Sequence, residues 1–433
     1  MNRRRYDNEA HTDPIGYSTG EGSEFDRAIN EDEPNRTDAE SPRQRAARSR
    51  KKRGRIIGAA LGLVLFLAIA GGGFYVFDRL SSGPEIPDDF ASGNPGESAV
   101  IRVAPGDTAQ EIGVDAVDKG VVASTGAFMG AAVQNSDISG VQPGYYLLPT
   151  NIPASQAVSS LVDPATRVGS VVISEGRQLH DSRDVNTDAV KNGIYSLLSE
   201  ASCIDRAGNG TPTCISYEEF NQAGAAEDPA SLGVPDWAID RVSNVPDRDR
   251  QLEGLIAAGS WNIDPTATPA EILAQLVADS AQTYEDTGIL TAGTDSGLDP
   301  YDTLIAASLV EREALPPDFS KVARVILNRL AEPQQLQFDS TVNYALDTTE
   351  VATTDLDRAT VTPWNTYAME GLPATPIASP SVAAVEAVEA PAEGDWLYFV
   401  TINQAGETLF TREYAEHLAN IERVEDGFLD SGR

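Results

Sequence analysis

The stretch DPYDTLIAASLVEREA, residues 299–314, is the most informative part of the sequence for the fold. Its opening Asp-Pro pair predicts a helix start, because Asp caps helix N-termini and Pro fits the first helical position. Residues 304–310 are small or apolar on every side, which predicts a buried helix. The helix ends on two carboxylates, Glu311 and Glu313. Apolar surroundings raise the pKa of a carboxylic acid and let it donate a proton near neutral pH. This end is a candidate acid site, and a solvated helix end is the alternative.

Four further segments follow this helix. An amphipathic helix is predicted first, and motifs rich in polar and aromatic residues come after it. The segments are FSKVARVILNRL (319–330), LQFDSTVNYAL (336–346), WNTYAMEGLPATPIASPS (364–381) and WLYFV (396–400). With the Glu-x-Glu pair before them, they resemble the YceG-like (YceG/MltG) family of endolytic murein transglycosylases, in which the same blocks occur in the same order. Each block alone is a weak signal, whereas five in order are specific.

The resemblance also extends upstream. Pro-Gly-Asp-Thr at 105–108, Pro-Gly-Tyr-Tyr at 143–146 and Glu-Gly-Arg at 175–177 match the family's LysM-like module and the start of its catalytic domain. It implies an α+β (mixed α/β) fold, with a small LysM-like α/β module at 99–166 and a YceG-like catalytic α/β domain at 167–433.

The resemblance implies which glutamate acts. In lytic transglycosylases the catalytic Glu is usually followed by a small hydroxyl residue, and in the family's Glu-x-Glu-Thr pattern that is the second Glu. This position is Glu313 here, so Glu313 is the expected catalytic residue. Ala314 stands where the hydroxyl residue is usual. This departure leaves Glu311 as the alternative acid.

One carboxyl group is enough for such a reaction. Ordinary glycosidases need two carboxylates. In a lytic transglycosylase the C6 hydroxyl of the same MurNAc attacks C1, so neither water nor a second carboxylate is required. The expected enzyme is a carbon–oxygen lyase without a cofactor or a metal. The three His residues are not at metal-ligand spacing from the cysteines.

Further site residues follow from the motif positions. The family match predicts residues that line the cleft and contact sugar hydroxyl or acetamido groups, or that orient Glu313: Gln337, Asp339, Thr341, Asn365, Thr366 and Tyr367, with Glu311 in a supporting role. Glu253 resembles a family Glu that faces the cleft, although apolar residues 255–258 replace the aromatic and Pro residues expected after it. Tyr398 and Phe399 lie in an apolar run and are predicted to be core, and Glu416 and His417 are predicted on a surface helix.

The N-terminal part of the chain predicts membrane attachment. Residues 56–77 are uncharged and long enough to span a bilayer as one helix, and a cluster of Arg and Lys precedes them. Basic residues stay on the cytoplasmic side, so a disordered tail at 1–55 is expected inside and the remainder outside the cell. A Pro/Gly/Ser-rich linker is predicted at 78–98. A cleaved signal peptide is the alternative, but the segment before the apolar run is too long for one.

Charge and cysteine usage agree with an external body. The first 55 residues carry 13 basic and 11 acidic residues, so the remaining chain holds 19 basic and 55 acidic ones. Such acidity argues against nucleic-acid binding. Cys203 and Cys214 flank a Gly/Pro/Thr-rich loop, and an oxidising exterior favours a disulfide between them over two free thiols.

These expectations lead to one main hypothesis and two alternatives. The main one is an endolytic lyase that cuts the MurNAc–GlcNAc bond within nascent peptidoglycan strands and so terminates their elongation, alongside peptidoglycan synthases (penicillin-binding proteins). The short linker holds the catalytic domain near the membrane, where new strands emerge. A non-catalytic peptidoglycan-binding scaffold and a muramidase that uses water are the alternatives.

Overall fold

The computed structural model describes residues 88–291, 296–349 and 353–424. The predicted tail, the predicted transmembrane helix at 56–77 and most of the predicted linker lie outside these residues. None of the helices in the described ranges is long and apolar enough to cross a lipid bilayer. The described residues form a mixed α+β protein.

The first part of the described chain has its own hydrophobic core. Its elements are β1 (Ser98–Val103), α1 (Ala109–Asp118), α2 (Thr125–Gln134), β2 (Gly144–Pro149), α3 (Ala154–Leu161) and β3 (Arg167–Val168). The strands form an antiparallel sheet in the order β1-β2-β3, and the helices cover it. Apolar side chains of the sheet and the helices, which include Ile101, Phe128 and Leu148, form the core. The Thr108–Glu111 capping box opens helix α1. The LysM-like character of this part stays a prediction.

The remainder of the described chain is built around a larger core. Its strands are β4 (Ser170–Ile173), β5 (Ser182–Asp184), β6 (Val190–Lys191), β7 (Gly259–Asn262), β8 (Thr348–Thr349), β9 (Tyr398–Thr401) and β10 (Thr408–Thr411). Its helices are α4 (Ile194–Ala201), α5 (Tyr217–Ala226), α6 (Asp236–Ser243), α7 (Pro269–Glu285), α8 (Pro300–Glu313), α9 (Phe319–Ala331), α10 (Asp339–Ala345), α11 (Asp355–Ala359), α12 (Val382–Glu389) and α13 (Tyr414–Ile421). The sheets are small: β4 pairs with β7, β9 with β10, and β5 lies between β6 and β8.

Helix α8 lies at the centre of the larger core, as predicted. It begins after Asp299, whose side chain accepts a hydrogen bond from the backbone N–H of Asp302 at 2.7 Å. Nearly all residues from Tyr301 to Val310 are buried, and the helix packs against α9 and α12. Because apolar side chains surround the helix on all sides, its C-terminal end is held rigidly, and Glu313 is its last residue.

The two cysteines are joined in the structure. Cys203 and Cys214 form a disulfide that closes the loop after helix α4. Backbone hydrogen bonds between Ile204 and Thr213, at 3.0 and 2.9 Å, lie beside it. The same loop contacts strand β1, because the backbone N–H of Ser98 donates to the Arg206 carbonyl at 2.7 Å. The disulfide therefore orders a loop that contacts the first part of the chain.

Candidate active site

An open cleft of about 560 Å³ lies at the C-terminal end of helix α8. A volume of this size is typical of a ligand site. The cleft is lined by Glu313, Arg329, Leu336, Gln337, Phe338, Asp339, Arg358, Tyr367, Tyr398, Phe399, Val400, Tyr414, His417, Ile421 and Val424. Four residues predicted from the motifs, Glu313, Gln337, Asp339 and Tyr367, are among them.

Glu313 is half-buried, and removal of water raises the pKa of its carboxyl. The negative charge of Asp339 raises this pKa further, whereas Ser340 and the charge of Arg312 act in the opposite direction. Burial is the largest of these effects, so more of the carboxyl is protonated near neutral pH than in water. The shift is in the direction that a general acid requires.

Ser340 lies beside Glu313 and opposes the rise of its pKa, although the buried Ser340 hydroxyl has no hydrogen-bond partner within the described residues. Ser340 stands in the second position of helix α10, directly after Asp339. Ser340 was not predicted from the sequence, although it lies within the quoted LQFDSTVNYAL motif.

Glu311 has a different environment on the same helix. Its carboxylate accepts hydrogen bonds from the backbone N–H of Ser381 at 3.1 Å and from the Ser381 hydroxyl at 2.6 Å. Ser381 is the N-cap of helix α12, so Glu311 joins the end of α8 to the start of α12. Glu311 is not among the residues that line the cleft. This geometry favours Glu313 as the acid and gives Glu311 a supporting role.

Asp339 is held in the cleft by three side chains. Arg358 donates from Nε at 3.2 Å and from Nη2 at 3.0 Å, one bond to each carboxylate oxygen. The hydroxyls of Thr353 and Tyr367 both donate at 2.7 Å to Oδ1. A bidentate arginine pair fixes both the position and the plane of a carboxylate. The negative charge that acts on Glu313 is therefore held in one place.

Gln337 lies at the cleft in an unusual backbone conformation. Its φ is 56°, in the left-handed region, and its side chain is exposed. A backbone hydrogen bond to the Thr366 carbonyl at 3.1 Å holds this residue. Non-glycine residues in this conformation are strained and often mark functional sites. Gln337 thus lies at the cleft, and its contact with a ligand stays a prediction.

Three motif residues were expected at the cleft, but the structure places them in the interior. Thr341 and Thr366 are fully buried and share a hydroxyl–hydroxyl bond of 3.0 Å. The Asn365 amide donates to the carbonyls of Asp357, Arg358 and Thr360 at the end of helix α11. Because these polar groups are satisfied within the protein, they support the cleft rather than contact a sugar.

Glu253 also does not face the cleft, contrary to the expectation from the family match. It is fully buried in the core, where it accepts hydrogen bonds from the Leu179 N–H and the Tyr344 hydroxyl. Burial raises the pKa of Glu253 to about 7. The apolar residues that follow it leave no open surface there, since Leu255, Ile256 and Ala257 are buried.

Part of the cleft was not predicted from the sequence. Tyr398 and Phe399 were expected in the core, and His417 on a surface helix, yet all three line the cleft. Arg329 and Tyr414 line it as well. Neither the apolar run WLYFV nor the polar residues of helix α13 show in the sequence that the two elements share one surface.

These features describe a class of protein: an α+β protein with one candidate general acid at the end of a buried helix, in an open cleft. Comparisons with known proteins agree. The YceG-like family model matches residues 101–423. The chain therefore belongs to the YceG-like family, which confirms the resemblance seen in the sequence.

Two curated relatives are named endolytic murein transglycosylase. The Bacillus subtilis (strain 168) protein is 25% identical over 290 residues, which cover 66% of this chain and 73% of that protein. The Streptococcus pneumoniae serotype 2 (strain D39) protein is 23% identical over 394 residues, which cover 83% of this chain and 64% of that protein. This chain thus spans somewhat less than two thirds of the pneumococcal relative.

A solved structure is also similar. The putative YceG-like protein from Listeria monocytogenes is 23% identical, with a TM-score of 0.47, and the match covers 75% of this chain and 99% of that chain.

Proposed function

We propose that this protein is an endolytic murein transglycosylase, a lyase that cleaves the MurNAc–GlcNAc bond within peptidoglycan glycan strands and leaves 1,6-anhydro-MurNAc ends. The observation that carries the proposal is Glu313, a carboxyl of raised pKa at the cleft on the end of a buried helix. Membership of the YceG-like family and the names of the curated relatives support the substrate class.

The first step uses Glu313 as an acid. Its protonated carboxyl donates the proton to the glycosidic oxygen, the bond from that oxygen to C1 of MurNAc breaks, and GlcNAc leaves with a free hydroxyl. Positive charge develops at C1 and the ring oxygen as the bond breaks. The carboxylate of Asp339 lies at the same cleft, and its negative charge stabilises this developing charge.

The second step uses Glu313 as a base. The C6 hydroxyl of the same MurNAc attacks C1, and its proton passes to the Glu313 carboxylate. This closes the 1,6-anhydro ring and returns the acid to its starting form, so that no water is consumed. Because the nucleophile belongs to the reacting sugar, the high effective molarity replaces a second catalytic carboxylate.

The location of the reaction is part of the proposal. Residues 56–77 act as a single membrane anchor, with the N-terminus in the cytoplasm and the catalytic part outside, next to the LysM-like module. This rests on the uncharged run and the basic residues before it. An anchored enzyme reaches glycan near the membrane, so it cuts nascent strands and terminates their elongation, close to the peptidoglycan synthases.

Mass spectrometry of digested glycan strands tests the chemistry. The full chain should yield anhydro-MurNAc ends from purified, uncross-linked strands. Free reducing ends would identify a muramidase that uses water, and binding without cleavage would identify a scaffold. The topology has a separate test, in which a cleavable signal replaces residues 56–77. Release from the membrane should change strand lengths in cells, and unchanged lengths would contradict the role of the anchor.

A further inference from the structure

The cleft has an aromatic part as well as an acidic part. Tyr398 of strand β9 and Tyr414 and His417 of helix α13 line the same cleft as Glu313. The rings of Tyr398 and His417 are stacked, with centroids 5.1 Å apart and an interplanar angle of 23°. The rings of Tyr398 and Tyr414 lie 5.4 Å apart. Three aromatic rings therefore form one cluster at the surface of the cleft.

Tyr414 is the accessible member of this surface. It is 58% exposed in the described part of the chain, although a tyrosine ring gains free energy when it is buried. Tyr398, against which it packs, is held by the Arg329 guanidinium over its ring, at 5.2 Å, and by a hydrogen bond of 3.3 Å from Gln334. The exposed ring thus rests on a fixed support and needs little ordering to bind a ligand.

The chemistry of the surface suits a sugar ring. A pyranose has polar edges and apolar C–H faces, and an aromatic ring binds such a face by dispersion and weak C–H contacts. His417 contributes a neutral ring, because burial and the nearby Arg329 charge lower its pKa. A surface of neutral rings favours an uncharged sugar over an anionic group, in a chain of net charge -34.

We propose that Tyr414, supported by Tyr398 and His417, is the stacking platform of a sugar subsite, where it binds one pyranose ring of the glycan outside the bond that Glu313 cleaves. This inference rests on the proposed function for its substrate class. The platform contributes to binding in the ground state and the transition state alike. Its loss therefore raises KM and leaves kcat unchanged.

Helix α13 provides a matched control. Leu418 is 46% exposed on the same helix as Tyr414 but does not line the cleft. Tyr414→Ala and Leu418→Ala each remove an exposed apolar group, so they have similar effects on the helix itself. Tyr414→Phe keeps the ring and removes only the hydroxyl. The set separates stacking at the cleft from a change in the stability of α13, which thermal melts of each variant measure.

The experiment measures cleavage by the full chain of uncross-linked glycan strands of defined length. We expect Tyr414→Ala to raise KM about tenfold with kcat within twofold of wild type. Leu418→Ala should stay within twofold in both constants, and Tyr414→Phe should recover most of the binding that Tyr414→Ala loses. For strands too short to reach the platform, wild type and Tyr414→Ala should be equal. A KM within twofold of wild type for Tyr414→Ala on long strands, an equal loss in Leu418→Ala, or a loss confined to kcat would each overturn the proposal.

Binding separates this inference from the proposed function. Dissociation constants for the same strands are measured with Glu313→Gln and with Glu313→Gln combined with Tyr414→Ala. If the wild type cleaves nothing but the second variant binds about tenfold more weakly, the subsite stands and the proposed lyase does not. If the wild type cleaves and the two variants bind equally, the lyase stands and the subsite is wrong.

Discussion

Glu313 in the cleft and Glu253 in the core are two carboxyls whose pKa is raised by the same cause. Burial is the largest effect for both. Their surroundings differ. Glu253 is enclosed on all sides and hydrogen-bonded to Leu179 and Tyr344, whereas Glu313 is half-buried and lines the cleft.

A raised pKa is therefore not sufficient to identify a catalytic acid. A general acid must be protonated and must also reach the atom that receives its proton. Glu253 meets only the first condition, because its carboxyl is satisfied inside the fold. Glu313 lines the cleft, where a ligand can reach it, and both burial and the charge of Asp339 raise its pKa. Glu313→Gln should therefore lower the activity, whereas Glu253→Gln should change the stability.

The largest effect is expected for Glu313→Gln. Gln keeps the shape of the side chain but cannot donate a proton, so anhydro-product formation should fall by about 10²–10⁴-fold. The free energy of unfolding should not decrease, because a half-buried ionisable group is replaced by a neutral one. Product quantified by mass spectrometry and a thermal melt provide the two readouts. Activity within tenfold of wild type would remove Glu313 from the role of acid.

Glu253→Gln should leave activity nearly unchanged and alter stability instead. The folded-state pKa of about 7 lies above the ordinary glutamate pKa of 4.5, so burial favours the protonated form. The contribution of Glu253 to stability is therefore complete below pH 4.5 and is lost as the pH rises through about 7. The total change is about 3 kcal/mol. Denaturant unfolding at pH 5 and pH 8 should show that the free energy of unfolding of the wild type falls. Glu253→Gln should lack the part of this fall that comes from ionisation of Glu253.

A control keeps this test specific. Glu393 is exposed, so the free energy of unfolding of Glu393→Gln should fall with rising pH as that of the wild type does. If the stability difference between wild type and Glu253→Gln were the same at pH 5 and pH 8, the burial of an ionising carboxyl would not be its cause.

The same comparison shows what the sequence could predict. The end of helix α8 was predictable because its signals are local: an Asp-Pro start, an apolar run and a terminal Glu pair. The interior position of Glu253 was not, since its partners Leu179 and Tyr344 lie 74 and 91 residues away in the chain. Its burial depends on packing against residues that are distant in the chain, and a local sequence pattern does not reveal such contacts.

Helix geometry explains why some motif residues face the cleft and others face the core. Asp339 and Thr341 are two positions apart in helix α10, so their side chains point to nearly opposite sides. Because Asp339 faces the cleft, Thr341 faces the core. The aromatic surface was missed because β9 and α13 each give a weak signal, and only the tertiary structure brings Tyr398, Tyr414 and His417 together.

Asp339→Asn tests whether the charge of Asp339 raises the pKa of Glu313. The Asp339 charge raises the pKa of Glu313, so its removal lowers that pKa. Less Glu313 is then protonated at neutral pH. We expect about a tenfold loss of activity at pH 7 and a fall in rate that begins at lower pH than in wild type. A pH–rate profile measures both.

Arg358→Gln is the opposite arm of this test. It removes the cation paired with Asp339, which leaves the carboxylate charge less compensated. The pKa of Glu313 should rise, and the fall in rate should begin at higher pH. If both variants moved the profile in the same direction, Asp339 would act on Glu313 through its position rather than its charge.

The smallest effect is expected for Glu311→Ala, which compares two glutamates on one helix end. Glu311 accepts two hydrogen bonds from Ser381 at the start of helix α12, so its loss should lower the free energy of unfolding by about 1 kcal/mol. Cleavage should stay within a few-fold of wild type, because the residue does not line the cleft. Glu311→Gln keeps one acceptor and should recover part of the stability. A variant that melts like wild type but no longer forms anhydro ends would exchange the roles of the two glutamates, since the acid would then be the one that is hydrogen-bonded to Ser381.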